Sequence, residues 1–220
     1  MTPKRGSVLL LLLAASGALA EQPARIGPRS FDVTAFAGWQ LNGDATLKGG
    51  ELRIDDSATY GAAIDWRFHR AGSLEVMWEY AKATQQFRAF SAQSPSSKPF
   101  DVATHYFQVG AMHRRNLGTR LEPFIGFTLG AALCAPGKIP LTDGSSLDAR
   151  DTWRFAMSIV LGMKTWISPN VGLQFATRVF APVVFTEGQI YAGTGGAGMG
   201  VPASIPFLQF GFTAGLTFGK

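Results

Sequence analysis

Eight segments of the chain carry bulky apolar residues at every second position, and this period restricts the fold more than any other feature. Neighbouring side chains of a strand face opposite sides of a sheet, so alternation marks strands with two unlike faces. In the first segment Phe31, Val33, Ala35, Ala37 and Trp39 alternate with Asp32, Thr34, Phe36, Gly38 and Gln40. Ala62, Ile64, Trp66 and Phe68 follow the same scheme, then Leu74, Val76, Trp78 and Tyr80, then His105, Phe107, Val109 and Ala111. The second half repeats it with Ile125 to Ala131, Phe155 to Met163, Val171 to Val179 and Leu208 to Phe218. One face is apolar and bulky throughout. The other holds Gly, Thr, Gln and charge, which is the pattern of a barrel with a lipid-facing exterior and a polar interior.

The connections between these segments alternate in length. Those after the second, fourth and sixth are short: His69 to Ser73, Arg114 to Arg120, and Ser168-Pro169-Asn170. Those after the first, third, fifth and seventh are long, near 41–58, 84–101, 133–151 and 181–206. Short turns at one end and long loops at the other are the habit of outer-membrane barrels, with the short turns in the periplasm. A soluble sandwich has no reason to alternate loop length in this way. An even number of strands also brings both chain ends to the short-turn side.

Apart from the N-terminus, every apolar run is interrupted by Gly, Gln, Thr or a charge before it could span a bilayer as a helix. A membrane-resident chain of this kind must close into a barrel, since lipid offers no partner for free backbone polar groups. The N-terminus has a different character. Lys4 and Arg5 precede an apolar run of about 13 residues ending in Gly17-Ala18-Leu19-Ala20, with Glu21-Gln22-Pro23 after it. A basic start, a short apolar centre and a small-residue exit form a secretory signal peptide, and a spanning helix needs about 20 residues. The expected division is a signal peptide over 1–20 and a single barrel domain over 21–220.

The net charge of +5 includes Lys4 and Arg5, and the remaining bases form no long run, so nucleic acid is not implied. The single cysteine, Cys134, cannot make an intramolecular disulfide. It reads as a small apolar residue at the top of the fifth strand. Trp39, Tyr60, Tyr80 and Trp153 fall near strand ends on the long-loop side, and Phe68, Trp166 and Phe218 near the short-turn side, as two interface belts would require.

Phe31-Asp32-Val33-Thr34-Ala35-Phe36-Ala37-Gly38-Trp39, Ser57-Ala58-Thr59-Tyr60-Gly61, Ser73-Leu74-Glu75-Val76-Met77-Trp78-Glu79-Tyr80 and the alternating aromatic C-terminal strand resemble a known family. It is the OmpA/OmpX-like superfamily of small outer-membrane barrels, and within it the generic outer-membrane β-barrel members. The resemblance covers the whole mature chain. It implies an eight-stranded antiparallel up-and-down barrel in the outer membrane of a Gram-negative cell, acting as a monomer. The implied partners are outer-membrane lipid, lipopolysaccharide and the barrel-insertion machinery. Such barrels commonly end on an aromatic residue that this machinery reads, whereas here Gly219 and Lys220 follow Phe218.

The inward face is expected to hold Asp32, Asp65, Glu75 and Glu79 against Arg67, Arg154, Lys164 and Arg178. An eight-stranded barrel is only wide enough inside to be filled by side chains, and an unpaired charge there is strongly destabilising. A balanced set therefore points to a plugged lumen rather than a conduit. The expected role is a closed barrel that is structural or binds through its surface loops. The alternatives are a channel for small solutes or hydrophobic molecules of the OmpW or porin sort, and a lipid A-modifying enzyme.

Catalysis has little support, and the chain is expected not to be an enzyme. His69 and His113 read as solvated residues at short turns, and His105, followed by Tyr106-Phe107, lacks the His-x-Ser spacing of the lipid A deacylases. Three dispersed histidines and one cysteine lack metal-ligand spacing. Asp55-Asp56 reads as a solvated loop, and Gly193 to Gly200 lacks the Lys-Ser/Thr of a phosphate loop and reads as flexible surface. No catalytic, cofactor or metal residue is assigned.

Overall fold

The computed structural model describes residues 30–47, 50–69, 71–89, 97–115, 120–142, 144–185, 189–193, 196–200, 203–204 and 208–220. The expected signal peptide, 1–20, lies outside them. Eight long strands form the wall: β1 (Phe31–Asn42), β2 (Ser57–Arg67), β3 (Gly72–Ala89) and β4 (Phe100–Arg114). They are followed by β5 (Leu121–Ala135), β6 (Thr152–Trp166), β7 (Val171–Phe185) and β8 (Gln209–Gly219). Each pairs antiparallel with its chain neighbour, and β1 pairs with β8 from Asp32↔Gly219 to Asn42↔Gln209. That last pairing closes the wall, so none of its eight strands is left as a free edge. The backbone N–H of Ser30 adds a bond to the Lys220 carbonyl at 2.7 Å.

The predicted faces hold in all eight strands. Asp32, Thr34, Phe36 and Gln40 are buried while Phe31, Val33 and Trp39 are exposed, and the other strands follow suit. The result inverts a water-soluble barrel: charged and polar side chains lie inside, and Val, Ile, Leu, Phe and Trp lie outside. At the short-turn end the Ser168 hydroxyl accepts the backbone N–H of Val171 at 3.0 Å, fixing the turn that Pro169 and Asn170 begin.

Glycines on the inner face let large lumenal side chains lie across the wall. A Cβ at Gly61 would sit 2.7 Å from Cζ of Phe36, and one at Gly215 would sit 2.8 Å from its Cβ. Phe36 thus fits between two strands only because neither carries a side chain at that height. Gly61→Val is expected to destabilise the barrel by about 1–3 kcal/mol through overpacking, read as a lower midpoint in urea titration of the folded band on a gel.

Several expected boundaries shift. β3 continues to Ala89 and β4 begins at Phe100, so 84–89, read as loop, is strand. The cause is tertiary: the first long connection folds into Ala45–Leu47 and Gly50–Ile54, and the second of these pairs with β3 from Ile54↔Gln85 to Gly50↔Ala89. Ile54, Ala83 and Leu52 pack beneath this extension. The third connection starts only after Ala135 and holds the hairpin Lys138–Pro140 with Ser146–Asp148. The fourth starts after Phe185, and Ala203–Ser204 returns to pair with the end of β7. The glycine-rich stretch is not plain loop either, since Gly196–Gly200 pairs with Gln189–Gly193. Trp166 is also corrected. It shares the parity of Lys164, points inward at 1% exposure and floors the lumen instead of joining a belt. Trp66, on the outward parity of β2, stands at that end of the wall.

Candidate functional site

The short-turn end of the lumen is closed by six charged side chains from five strands. Arg67 Nη2 donates to Asp32 Oδ2 at 2.7 Å and to Glu122 Oε2 at 2.8 Å. Lys164 Nζ donates to Asp65 Oδ2 at 2.8 Å and to the same Asp32 oxygen at 3.3 Å. Arg114 completes the ring on Asp65, and its Nε donates to Ser73 Oγ at 2.9 Å. Three carboxylates meet three bases, and Lys164 at the centre is wholly buried. Charges removed from water to this degree are tolerated only when paired and hydrogen-bonded, and each member here has at least one partner. Trp166 lies below them.

Above this plug Met112, Phe124 and Val160 form an apolar septum, with the Arg114 guanidinium 5.4 Å over the Phe124 ring. The next layer is again polar. Arg178 Nη2 donates to Glu75 Oε1 at 2.7 Å, and its Nη1 reaches Ser158 at 3.2 Å. Ser158 and Thr128 both donate to Gln108 Oε1 at 2.8 Å. Phe36, Met77, Tyr106 and Phe180 cover this network, with Tyr106 and Phe180 stacked at 4.4 Å. The Tyr106 hydroxyl then donates to Gln209, whose amide donates to Asn42 at 2.7 Å. Polar and apolar layers therefore alternate along the axis and fill the interior, as expected for a barrel of eight strands.

The predicted charges meet different fates. Asp32, Asp65, Arg67 and Lys164 come together in the plug, and Glu75 pairs with Arg178. Glu79 has no ion pair among the described residues; its carboxylate accepts from Thr59 at 2.8 Å. Arg154 keeps the inward parity but stands half-buried at the long-loop end. Arg114 was missed because it was assigned to the connection between β4 and β5, and Glu122 because it lies between that connection and Ile125, where the alternation was first read. Their parity with Met112 and Phe124 was the available signal. His113 likewise lies in β4 and not in a turn, facing outward. His105, half-buried on the outer wall, accepts the Trp78 indole N–H at Nδ1, 3.3 Å away.

At the long-loop end a cleft of about 520 Å³ opens beside the β3 extension, lined by Asn42, Asp44, Arg53, Asp56, Gln86 and Arg88 among others. Asp55 and Asp56 belong to it. Asp56 accepts the Asn42 backbone N–H at 2.9 Å, so the acidic pair also orders the start of the loop. On the outside of the same end Lys82 meets Asp101 at 2.8 Å, and Thr84 donates to the other oxygen at 3.0 Å. The lysine and threonine hydrogen bonds hold the Asp101 carboxyl below the usual carboxylate range. This pair is fully solvated, so Lys82→Ala is expected to leave the thermal midpoint unchanged.

The arrangement has counterparts of known structure. OprG, an outer-membrane protein of Pseudomonas aeruginosa, superposes with a TM-score of 0.58 at 12% identity, covering 88% of this chain and 99% of that one. Neisserial surface protein A superposes at 0.52 with 15% identity and the same coverage. The fold is that of the small outer-membrane barrels. No family model matches the chain, and neither does any curated protein sequence. At such identities the likeness carries the barrel and nothing about its cargo or partners.

Proposed function

We propose that the chain is an integral outer-membrane protein whose barrel is closed to solutes and whose activity lies in its surface loops or in scaffolding the envelope. The carrying observation is the filled lumen: a neutral six-charge plug, an apolar septum and a second buried ion pair leave no continuous polar route. Residence in a membrane is supported by the apolar exterior, which in water would be an aggregation surface far beyond the patches tolerated by soluble proteins. Each wall strand has at least 11 residues, enough for a tilted strand to cross the hydrocarbon of a bilayer, which takes about 9–11. The finer placement among OmpA/OmpX-like barrels rests on the quoted segments, which lie in or at the entry of β1, β2, β3 and β8. A binding role for the loops is supported by the cleft beside the β3 extension.

The protein is also proposed to lack enzymatic activity. His105 and His113 face outward eight positions apart on one strand, and none of the three histidines has a serine two positions after it. Mass spectrometry of lipid A from expressing cells should find it unmodified.

The test of membrane residence is fractionation of expressing cells, then electrophoresis with and without boiling. The proposal expects the protein in the outer-membrane fraction, with a folded band that changes mobility on heating. Recovery as a soluble periplasmic protein without a mobility shift would refute it.

A further inference from the structure

The outer wall carries a continuous aromatic surface that the lumenal plug does not explain. Along one hydrogen-bonded row, Tyr60, Tyr80, His105, Leu133 and Trp153 lie opposite one another on β2 to β6. The adjoining row toward the short-turn end contains Trp78 and Phe107. The rings touch in sequence. Tyr60 lies 5.0 Å from Tyr80, Tyr80 lies 4.9 Å from His105, and Phe107 lies 6.1 Å from Trp153. Trp78 and Phe107 are near-parallel to the imidazole of His105, at 23° and 12°. The facing positions of β1 and β8 in these rows are Ala35, Ala37 and Ala214, with Leu216, so this platform occupies one side of the wall.

Its height on the wall is set by the neighbours above and below it on β3. One outward step beyond Tyr80 comes Lys82, in its solvated pair with Asp101. Below Trp78 comes Val76, half-exposed on the apolar wall. The platform therefore straddles the boundary between hydrocarbon and headgroups, where rings with one polar edge are favoured. A histidine is unusual on such a wall, and here it is built in. Because Nδ1 accepts from the Trp78 indole, the neutral imidazole carries its proton on Nε2 as a donor. Ring faces beside an N–H donor and two phenol hydroxyls match a sugar, which offers C–H faces and hydroxyl acceptors together. A plain acyl chain would use only the faces.

Building on the membrane reading above, we propose that this platform seats the sugar headgroup of an outer-leaflet glycolipid, with Trp78 as the stacking surface and His105 as its hydrogen-bond donor. The test uses the full mature chain in nanodiscs of phosphatidylcholine alone, or with added short-sugar lipopolysaccharide, and measures glycolipid retained per protein after repurification. Trp78→Leu and His105→Leu are expected to lower retention about tenfold, the loss of one good ring contact, while Phe212→Leu, exposed on β8 across the barrel, retains it. Heat-modifiable mobility in every variant separates failure of the barrel from failure of the seat. Equal retention by all three variants, or none by the wild type, overturns the proposal even where the barrel is intact.

Discussion

Lys164→Met is expected to destabilise the barrel by about 3–5 kcal/mol, because a buried pair loses one partner and leaves the other charged. Lys164 joins Asp65 to Asp32, at 2.8 and 3.3 Å, in a position without solvent access, whereas Arg114 spans the same two only loosely, 3.9 Å from Asp32. Without it Asp32, Asp65 and Glu122 share Arg67 and Arg114, and the plug carries an uncompensated negative charge. Methionine keeps most of the volume, so packing loss is small and the effect is electrostatic. The measurement is the urea midpoint of the folded band, compared with wild type. A change below ~1 kcal/mol, the range of solvated pairs, would show that water reaches the plug.

The second large effect concerns Arg178 and Glu75. Arg178→Met leaves the buried Glu75 carboxylate without its base, close to the already unpaired Glu79, and should again cost about 3–5 kcal/mol. Glu75→Gln should cost less, since the amide oxygen still accepts from Arg178 and Glu79 stands beside it. The double variant should be more stable than the sum of the singles implies, with a coupling of about 0.5–3 kcal/mol. Additivity would mean that the 2.7 Å contact contributes nothing. Removing either charge in a solvated pore would alter ion selectivity instead of stability.

Much of this architecture was legible because a closed barrel in lipid leaves each wall residue only two environments. Period two therefore assigned Asp32, Asp65, Lys164 and Arg178 to the interior without any knowledge of pairing. Pairing itself was not legible: Lys164 meets Asp32 across the lumen, 132 residues away in the chain. Errors gathered where the period competes with another expectation. Arg114 looked like a turn residue because it is charged beside a connection, and Glu122 preceded Ile125, the first alternating residue read in its strand, although the parity of both is inward. Trp166 looked like an interface residue because it is a tryptophan near a strand end, yet a lumen floor needs a large side chain as much as a belt does. The β3 extension was hidden because Gln85 and Gln86 have little strand propensity, and their pairing comes from a hairpin in another loop.

Closure of the lumen is tested most directly by single-channel recording of the purified, refolded protein in planar bilayers. The layered interior predicts insertion without steady conductance at moderate voltage, for wild type and for Lys82→Ala alike. Steady, ion-selective steps that Glu75→Gln shifts in selectivity would contradict it, and would make the same buried charges the lining of a pore.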